Sequence, residues 1–237
     1  MIPWLGVDYR KRVFTGLLKI TKMIIVKKTF IVAMLLIIGT FAHAQVSVGA
    51  GYVNAVYTNG VYFNNVASDR VYNGFYAGIG YSFPLVAGVS LTPGVYFESI
   101  SSSLVTDLSA FTTYSDCSQR FLNIPLNFSY DINISPGFCI LVYAGPTASL
   151  GLSSVDKSYT HFEFEDYDSE EIVTRSFDNG DLKRFDVKVG GGLGIKVMNH
   201  VCITVGYNWG LLDPRNYKLE KEPFKRNQLV AGVSYLF

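Results

Sequence analysis

Residues 184–197 read RFDVKVGGGLGIKV, and after Met198, Asn199 and His200 the chain resumes as VCITVGYNWGLL over 201–212. In the first stretch Phe185, Val187, Val189, Leu193, Ile195 and Val197 fall on alternate positions, and Asp186, Lys188, Gly190, Gly192, Gly194 and Lys196 fall between them. In the second, Val201, Ile203, Val205, Tyr207, Trp209 and Leu211 alternate with Cys202, Thr204, Gly206, Asn208, Gly210 and Leu212. Successive side chains of a strand point to opposite faces, so each stretch has one greasy face and one small, polar or charged face. The three residues between them are a tight connection, which makes the pair an antiparallel hairpin.

The same pattern recurs outward in both directions. It predicts strands over 45–57, 71–83, 88–100, 119–130, 137–152, 184–197, 201–212 and 227–237. The connections at 84–87, 131–136 and 198–200 are short, whereas those at 58–70, 101–118, 153–183 and 213–226 are long and polar. Short turns on one rim and long loops on the other are the layout of an outer-membrane barrel with its long loops outside. Eight is an even number, so both ends of the barrel chain are expected on the periplasmic rim.

Phase separates this fold from a soluble eight-stranded barrel, which turns its apolar face inward and needs a charged exterior. Here the polar face is mostly Gly, Ser, Thr and Asn, too small and uncharged to be a solvated surface. It suits the narrow interior of an eight-stranded barrel. Only 16% of residues are charged while 15% are aromatic, and Phe83, Phe138, Trp209, Tyr235 and Phe237 stand near strand ends as interfacial girdles would. The expected fold is therefore all-β, a single eight-stranded antiparallel up-and-down transmembrane barrel over 45–237. Pro93, Pro125 and Pro146 lie inside predicted strands, where each removes a ladder donor. Bulges or missing hydrogen bonds are expected there.

Residues 1–44 are excluded from the barrel. Lys27 and Lys28 precede the apolar run TFIVAMLLIIGTF, and Ala-His-Ala ends at Ala44. A basic flank, a short apolar run and an A-x-A end make a cleavable secretory signal peptide. Such a peptide is already complete when it starts at Met23, which makes Met23 the expected start. Residues 1–44 hold seven of the 20 Lys/Arg and one of the 19 Asp/Glu, leaving 13 basic and 18 acidic residues, a net charge of −5. Nucleic acid is not an expected partner, since it calls for a basic surface. Cys117, Cys139 and Cys202 make no disulfide framework, and their spacing selects no pair.

The chain closes on VAGVSYLF, with Val233, Tyr235 and Phe237 on one face and an aromatic last residue. This resembles the C-terminal signal by which bacterial outer-membrane barrels are recognised by their assembly machinery. Upstream, LNIPLNFSY (122–130), AGPTASLGL (144–152), RFDVKVGGGLGIKV (184–197) and GYNWGLLD (206–213) resemble the PorT-like outer-membrane β-barrel family. The resemblance implies an eight-stranded barrel in the bacterial outer membrane. Through the founding member it also implies a link to a system that exports proteins to the cell surface. Fold alone does not fix such a role.

Residues that carry chemistry are few. His161 with Asp166 or Ser169 imitates the outer-rim sites of outer-membrane hydrolases, but all three fall mid-loop with no strand to hold them, and no enzyme is expected. A hydrolase would lose activity on His161→Ala. Glu163, Glu165, Asp166, Asp168, Glu170 and Glu171 form an acidic stretch without the spacing of a calcium loop, read as a solvated surface loop. The following long loop is basic, with Arg215, Lys218, Lys221, Lys225 and Arg226, so the two loops are expected to attract. In the lumen, Glu98, Asp186 and Lys188 fall at similar depth, and Lys188 is expected to bridge the two carboxylates and plug the interior. Cys139 and Cys202 are read as small inward packing residues. No cofactor or metal is expected. The partners are outer-membrane lipid, the assembly machinery and a secretion or surface complex. The functional expectation is a non-enzymatic barrel with a packed polar lumen, structural, adhesive or accessory to surface secretion or assembly, against the alternative of a narrow passive channel.

Overall fold

Period-two alternation has to be satisfied by a sheet with two different sides, and a computed structural model of the protein shows how. It describes residues 45–63, 66–85, 88–108, 110–162, 167–216 and 224–237. The expected signal peptide, its cleavage after Ala44 and the Met23 start lie outside the described residues, as do Glu163, Glu165 and Asp166 of the acidic stretch. Among the described residues no helix is long and apolar enough to cross a membrane; the crossing is made by strands.

The strands are β1 (Gln45–Phe63), β2 (Val66–Pro84), β3 (Val89–Leu108), β4 (Phe111–Ser135), β5 (Phe138–Phe162), the short β6 (Tyr167–Asp168) and β7 (Ile172–Arg175), β8 (Phe185–Val197), β9 (Val201–Gly210) and β10 (Arg226–Leu236). Each long strand pairs antiparallel with its neighbour, β5 pairs with β8, and β10 returns to β1 from Ser47↔Leu236 to Tyr57↔Arg226. The result is a closed ring of eight strands, with β6 and β7 attached to the outer end of β5. Closure removes the sheet edges that hydrocarbon cannot tolerate.

The outer face carries Val48, Phe75, Ile79, Phe128, Leu193 and Val205, about half exposed to what is lipid in the membrane. Near the periplasmic rim, Tyr235 and Phe237 pack at 5.0 Å and Tyr81 and Phe83 at 4.6 Å, while Tyr207 and Trp209 pair at 4.9 Å nearer the outer rim. The periplasmic turns place residues in the left-handed backbone region. Gly88 and Gly137 have φ of 84° and 81°, and Met198 and Asn199 have φ of 51° and 57°.

Three of the four stretches read as long loops are largely strand. β1 and β2 continue to Phe63 and from Val66, β3 and β4 occupy 101–108 and 111–118, and β5 runs on to Phe162. The contrast between apolar and polar faces marks only the segment in lipid. Above it Ser99, Ser101, Ser103 and Ser118 replace the apolar outer face, while Thr, Val and Tyr keep the backbone extended in water.

The prolines break the ladder as expected. β2–β3 pairing runs to Gly80↔Gly94 and resumes at Phe83↔Leu91, with Pro93 in the gap. β3–β4 pairing skips from Pro93↔Leu126 to Tyr96↔Asn123 beside Pro125, and β4–β5 from Pro125↔Thr147 to Phe128↔Ala144 across Pro146. Elsewhere neighbouring strands approach so closely that only glycine fits. A Cβ on Gly78 would overlap the backbone carbonyl of Val95 and crowd the Tyr96 Cα, 2.6 Å away. Gly78→Val is expected to lower the unfolding free energy by about 1–3 kcal/mol, as overpacking does. Heat-dependent gel mobility of the folded barrel reads this, with Ala77→Val, on the lipid side of the same strand, unchanged.

Candidate functional site: a buried charge layer across the lumen

The interior of an eight-stranded barrel has room for side chains only, so its polar face must become a packed layer. β3 supplies Glu98, β4 Asn123, β5 Ser149, β8 Asp186 and Lys188, and β10 Arg226 and Gln228, all inward by alternation and all buried. Glu98 lies at the centre. It accepts hydrogen bonds from Asn123 Nδ2 at 2.6 Å and Gln228 Nε2 at 2.8 Å. Arg226 Nη1 lies 3.5 Å from Glu98 Oε1, and Lys188 Nζ lies 3.9 Å from Glu98 Oε2. Lys188 also donates to Gln228 Oε1 and, at 3.4 Å, to Asn123 Oδ1, which in turn accepts from Ser149 at 2.6 Å.

Asp186 is held differently from the expectation. Its partner is Arg226, Nη2 to Oδ2 at 3.4 Å, so Lys188 does not bridge the two carboxylates. Arg226 does so, and it belongs to β10, not to the basic loop in which the sequence reading placed it. Its guanidinium stacks 3.7 Å from the Phe121 ring centroid, a contact strengthened by desolvation. The layer is thus two carboxylates and two cations, neutral overall, as a narrow interior requires. Arg226 was missed by one residue of strand boundary. The deficit of a cation against Glu98 and Asp186, with Arg226 in phase with Gln228, was the signal that could have found it.

Above this layer, described side chains pack toward the outer end. Tyr57 donates to Gln119 Oε1 at 2.6 Å, and Gln119 donates to Ser154 at 3.2 Å. Phe177, from the segment after β7, packs on Phe121 at 6.1 Å, and Phe224 stacks on Tyr57 at 4.9 Å. These join the buried cluster of Val53, Ala55, Tyr72, Ile100 and Cys117. Below the layer a cavity of about 220 Å³ occupies the periplasmic half, lined by Tyr76, Tyr96, Tyr143, Asn127 and Thr204. Cys117, Cys139 and Cys202 are buried free thiols.

The remaining predicted residues are not drawn together. His161 sits at the end of β5, not in an unsupported loop, and pairs with Asp168 on β6, Nδ1 to Oδ1 at 2.8 Å, while the expected partner Asp166 lies outside the described residues. Ser169 Oγ accepts from the Thr160 amide at 2.9 Å. Glu171 pairs with Lys157 at 2.8 Å, and Glu170 is exposed. Among the described residues no group of His, Cys, Asp and Glu could hold a metal. The two outer loops do meet. Contacts between them include the Leu182↔Arg215 bridge, Lys183 N to Pro214 O at 2.6 Å, Asn216 N to Asp181 O at 3.1 Å, and Asn216 Nδ2 donating to the Gly180 carbonyl; Lys218 and Lys221 of the basic run lie outside the described residues. Asp213 anchors the second loop by accepting from Arg215 Nη2 at 2.8 Å and from the Phe224 amide at 3.4 Å. Burial works to raise its carboxyl, but the Arg215 and Phe224 hydrogen bonds outweigh that and hold it below its ordinary range. A depressed folded value contributes stability above the unfolded value, and that stability is lost as pH falls through the folded one. Hydrogen-exchange protection of the Phe224 amide is therefore expected to fall on acidification below the ordinary aspartate value of 3.8. Arg226→Met leaves two buried carboxylates short of a cation and is expected to cost about 3–5 kcal/mol. Lys188→Met, which leaves Glu98 with Arg226, Gln228 and Asn123, should cost less. Urea unfolding in lipid vesicles orders the two, and equal stability of Arg226→Met and wild type would remove the charge layer from the account.

In solved structures the chain is similar to Ail, the attachment invasion locus protein of Yersinia pestis, in complex with the heparin analogue sucrose octasulfate, at 13% identity over 82% of this chain and 99% of that one, TM-score 0.42. It is similar to Neisserial surface protein A at 16% identity over 82% and 97%, TM-score 0.38. It is also similar to the N-terminal barrel domain of Pseudomonas aeruginosa OprF at 13% identity over 82% and 100%, TM-score 0.33. No curated protein sequence matches it. Residues 41–214 match the family model described as the outer membrane protein beta-barrel domain. With most of its length covered by that model and its eight strands closed into a ring, the chain belongs to the outer-membrane β-barrel domain family and is a protein of the bacterial outer membrane.

Proposed function

We propose that this barrel is a non-conducting, non-enzymatic anchor, structural, adhesive or accessory to a surface secretion or assembly system, that acts through its outer hairpins. The observation that carries the reading is the lumen itself. A neutral, hydrogen-bonded layer around Glu98 crosses it, and Phe177 and Phe224 cap it above. Ions would have to separate buried charge pairs to pass. In contrast, β3, β4 and β5 extend far beyond the rim, and such mass outside the membrane serves contact better than transport. The resemblance to the PorT-like family gives the secretion accessory its place within this reading. The non-enzymatic part is supported by Ser169, whose hydroxyl is engaged by the Thr160 amide and the Glu170 carbonyl and so is not poised as a nucleophile.

Full-length protein, exported to the outer membrane and extracted in detergent, is expected to give no discrete openings in a planar bilayer. Insertion is shown by heat-dependent gel mobility of the same sample. Steady unitary conductance would replace this reading with the narrow passive channel.

A further inference from the structure

The sheet is closed within the membrane but not above it. Pairing of β2 with β3 ends at Asn73↔Ser101, while β3 continues to Leu108 paired with β4 alone. Above Arg70, β2 pairs with β1 alone. Among the described residues, then, Ser102–Leu108 is a seven-residue strand edge whose outward backbone groups have no ladder partner. Arg70 pins the foot of the opening, reaching Ser102 Oγ at 3.4 Å, Ser115 O at 3.3 Å and Asp156 Oδ2 at 3.3 Å.

That edge is weakly protected. Its sequence, SSLVTDL, has no lysine, proline or bulge among the usual devices against strand addition, and Asp107 is its one charge. Behind it stands an apolar row on the outward face. Val105 pairs with Tyr114, and Tyr114 with Tyr159. The two tyrosine rings stack at 4.8 Å and 12°, and Val105 is 57% exposed. Ser99, Ser101, Ser103 and Ser118 lie between this row and the lipid-facing belt, so the row is in water. An apolar row in water beside an open edge marks an interaction site.

We propose that Ser102–Leu108 takes an extended polypeptide strand from a different protein outside the cell, adding it to β3. Only polypeptide presents alternating amides and carbonyls at strand spacing. The row and edge define the guest, with an apolar side chain abreast of Val105 and a basic one abreast of the exposed Asp107. A second copy in the same membrane does not fit. Two such barrels are related by a twofold axis along the membrane normal, which leaves both β3 strands climbing outward. The antiparallel ladder of a self-complementary edge cannot then form. This deepens the anchor reading and rests on it only in needing the outer hairpins to work by contact.

The test uses the full-length protein in detergent and a fluorescent synthetic peptide of β-branched residues, with valine and lysine at the two defined positions. Binding is expected to slow amide exchange at Ser102–Leu108. It should weaken by about tenfold with Val105→Lys, an exposed edge substitution that leaves gel mobility unchanged, and vanish when the peptide's amides are N-methylated on alternate residues. Three results overturn the proposal: no binding up to ~1 mM peptide, binding indifferent to N-methylation, or an edge already protected without peptide, which would assign it to a second copy. Conductance in the bilayer experiment would overturn the anchor reading and leave these results standing.

Discussion

Hydrocarbon offers no hydrogen bond, so every backbone amide and carbonyl within it must find a partner in the protein. The rest of this molecule follows from that constraint. A sheet satisfies it only by closing, which is why β10 returns to β1 over eleven paired positions. Closure with eight strands makes the interior narrow, and a narrow interior selects glycine, serine and threonine on one face. The other face meets lipid and becomes valine, phenylalanine and isoleucine. The prolines at 93, 125 and 146 strain the same rule locally. Each interrupts one ladder in turn, on three consecutive strands, and no ladder loses more than a short run.

The lumen obeys a second form of the same electrostatics. A lone charge there costs several kcal/mol, so charges enter in balanced sets. Glu98 is satisfied by two side-chain amides and two cations, whereas Asp186 is ion-paired with Arg226. Arg226 therefore ties β3 to β8 from β10, across the barrel instead of along its wall. Such a cross-tie adds rigidity that the backbone ladders cannot give, because ladders join only neighbours.

What was legible in the sequence was whatever the lipid constraint writes there. Alternation over 184–197 and 201–212 located a hairpin almost to the residue, and all eight strands of the ring were found. Legibility failed where the constraint stops. Above the rim β3 loses its alternation, with Leu104 and Val105 adjacent in a serine-rich run, so Ser101–Asp107 reads as a loop although it is strand. His161 likewise read as unsupported because the short β6 that pairs it with Asp168 is two residues long. Within the lumen, Glu98, Asp186 and Lys188 were placed at the same depth by phase alone. Their actual partners depended on Arg226, which one misplaced strand boundary had sent into a loop.

The same boundary between lipid and water explains why the molecule has two kinds of strand end. Below Ser101 an unpaired edge would cost several kcal/mol per exposed group, and β2 and β3 stay joined. Above it, water satisfies the free amides, the joint is no longer enforced, and β3 departs with β4 and β5 as a separate sheet. Water tolerates that edge without selecting against a better partner, because a guest strand returns the same hydrogen bonds with the burial of Val105 added. The ring is thus closed where solvent demands it and open where solvent permits it. The transition falls at Ser101, the serine within the polar band that ends the β2–β3 ladder.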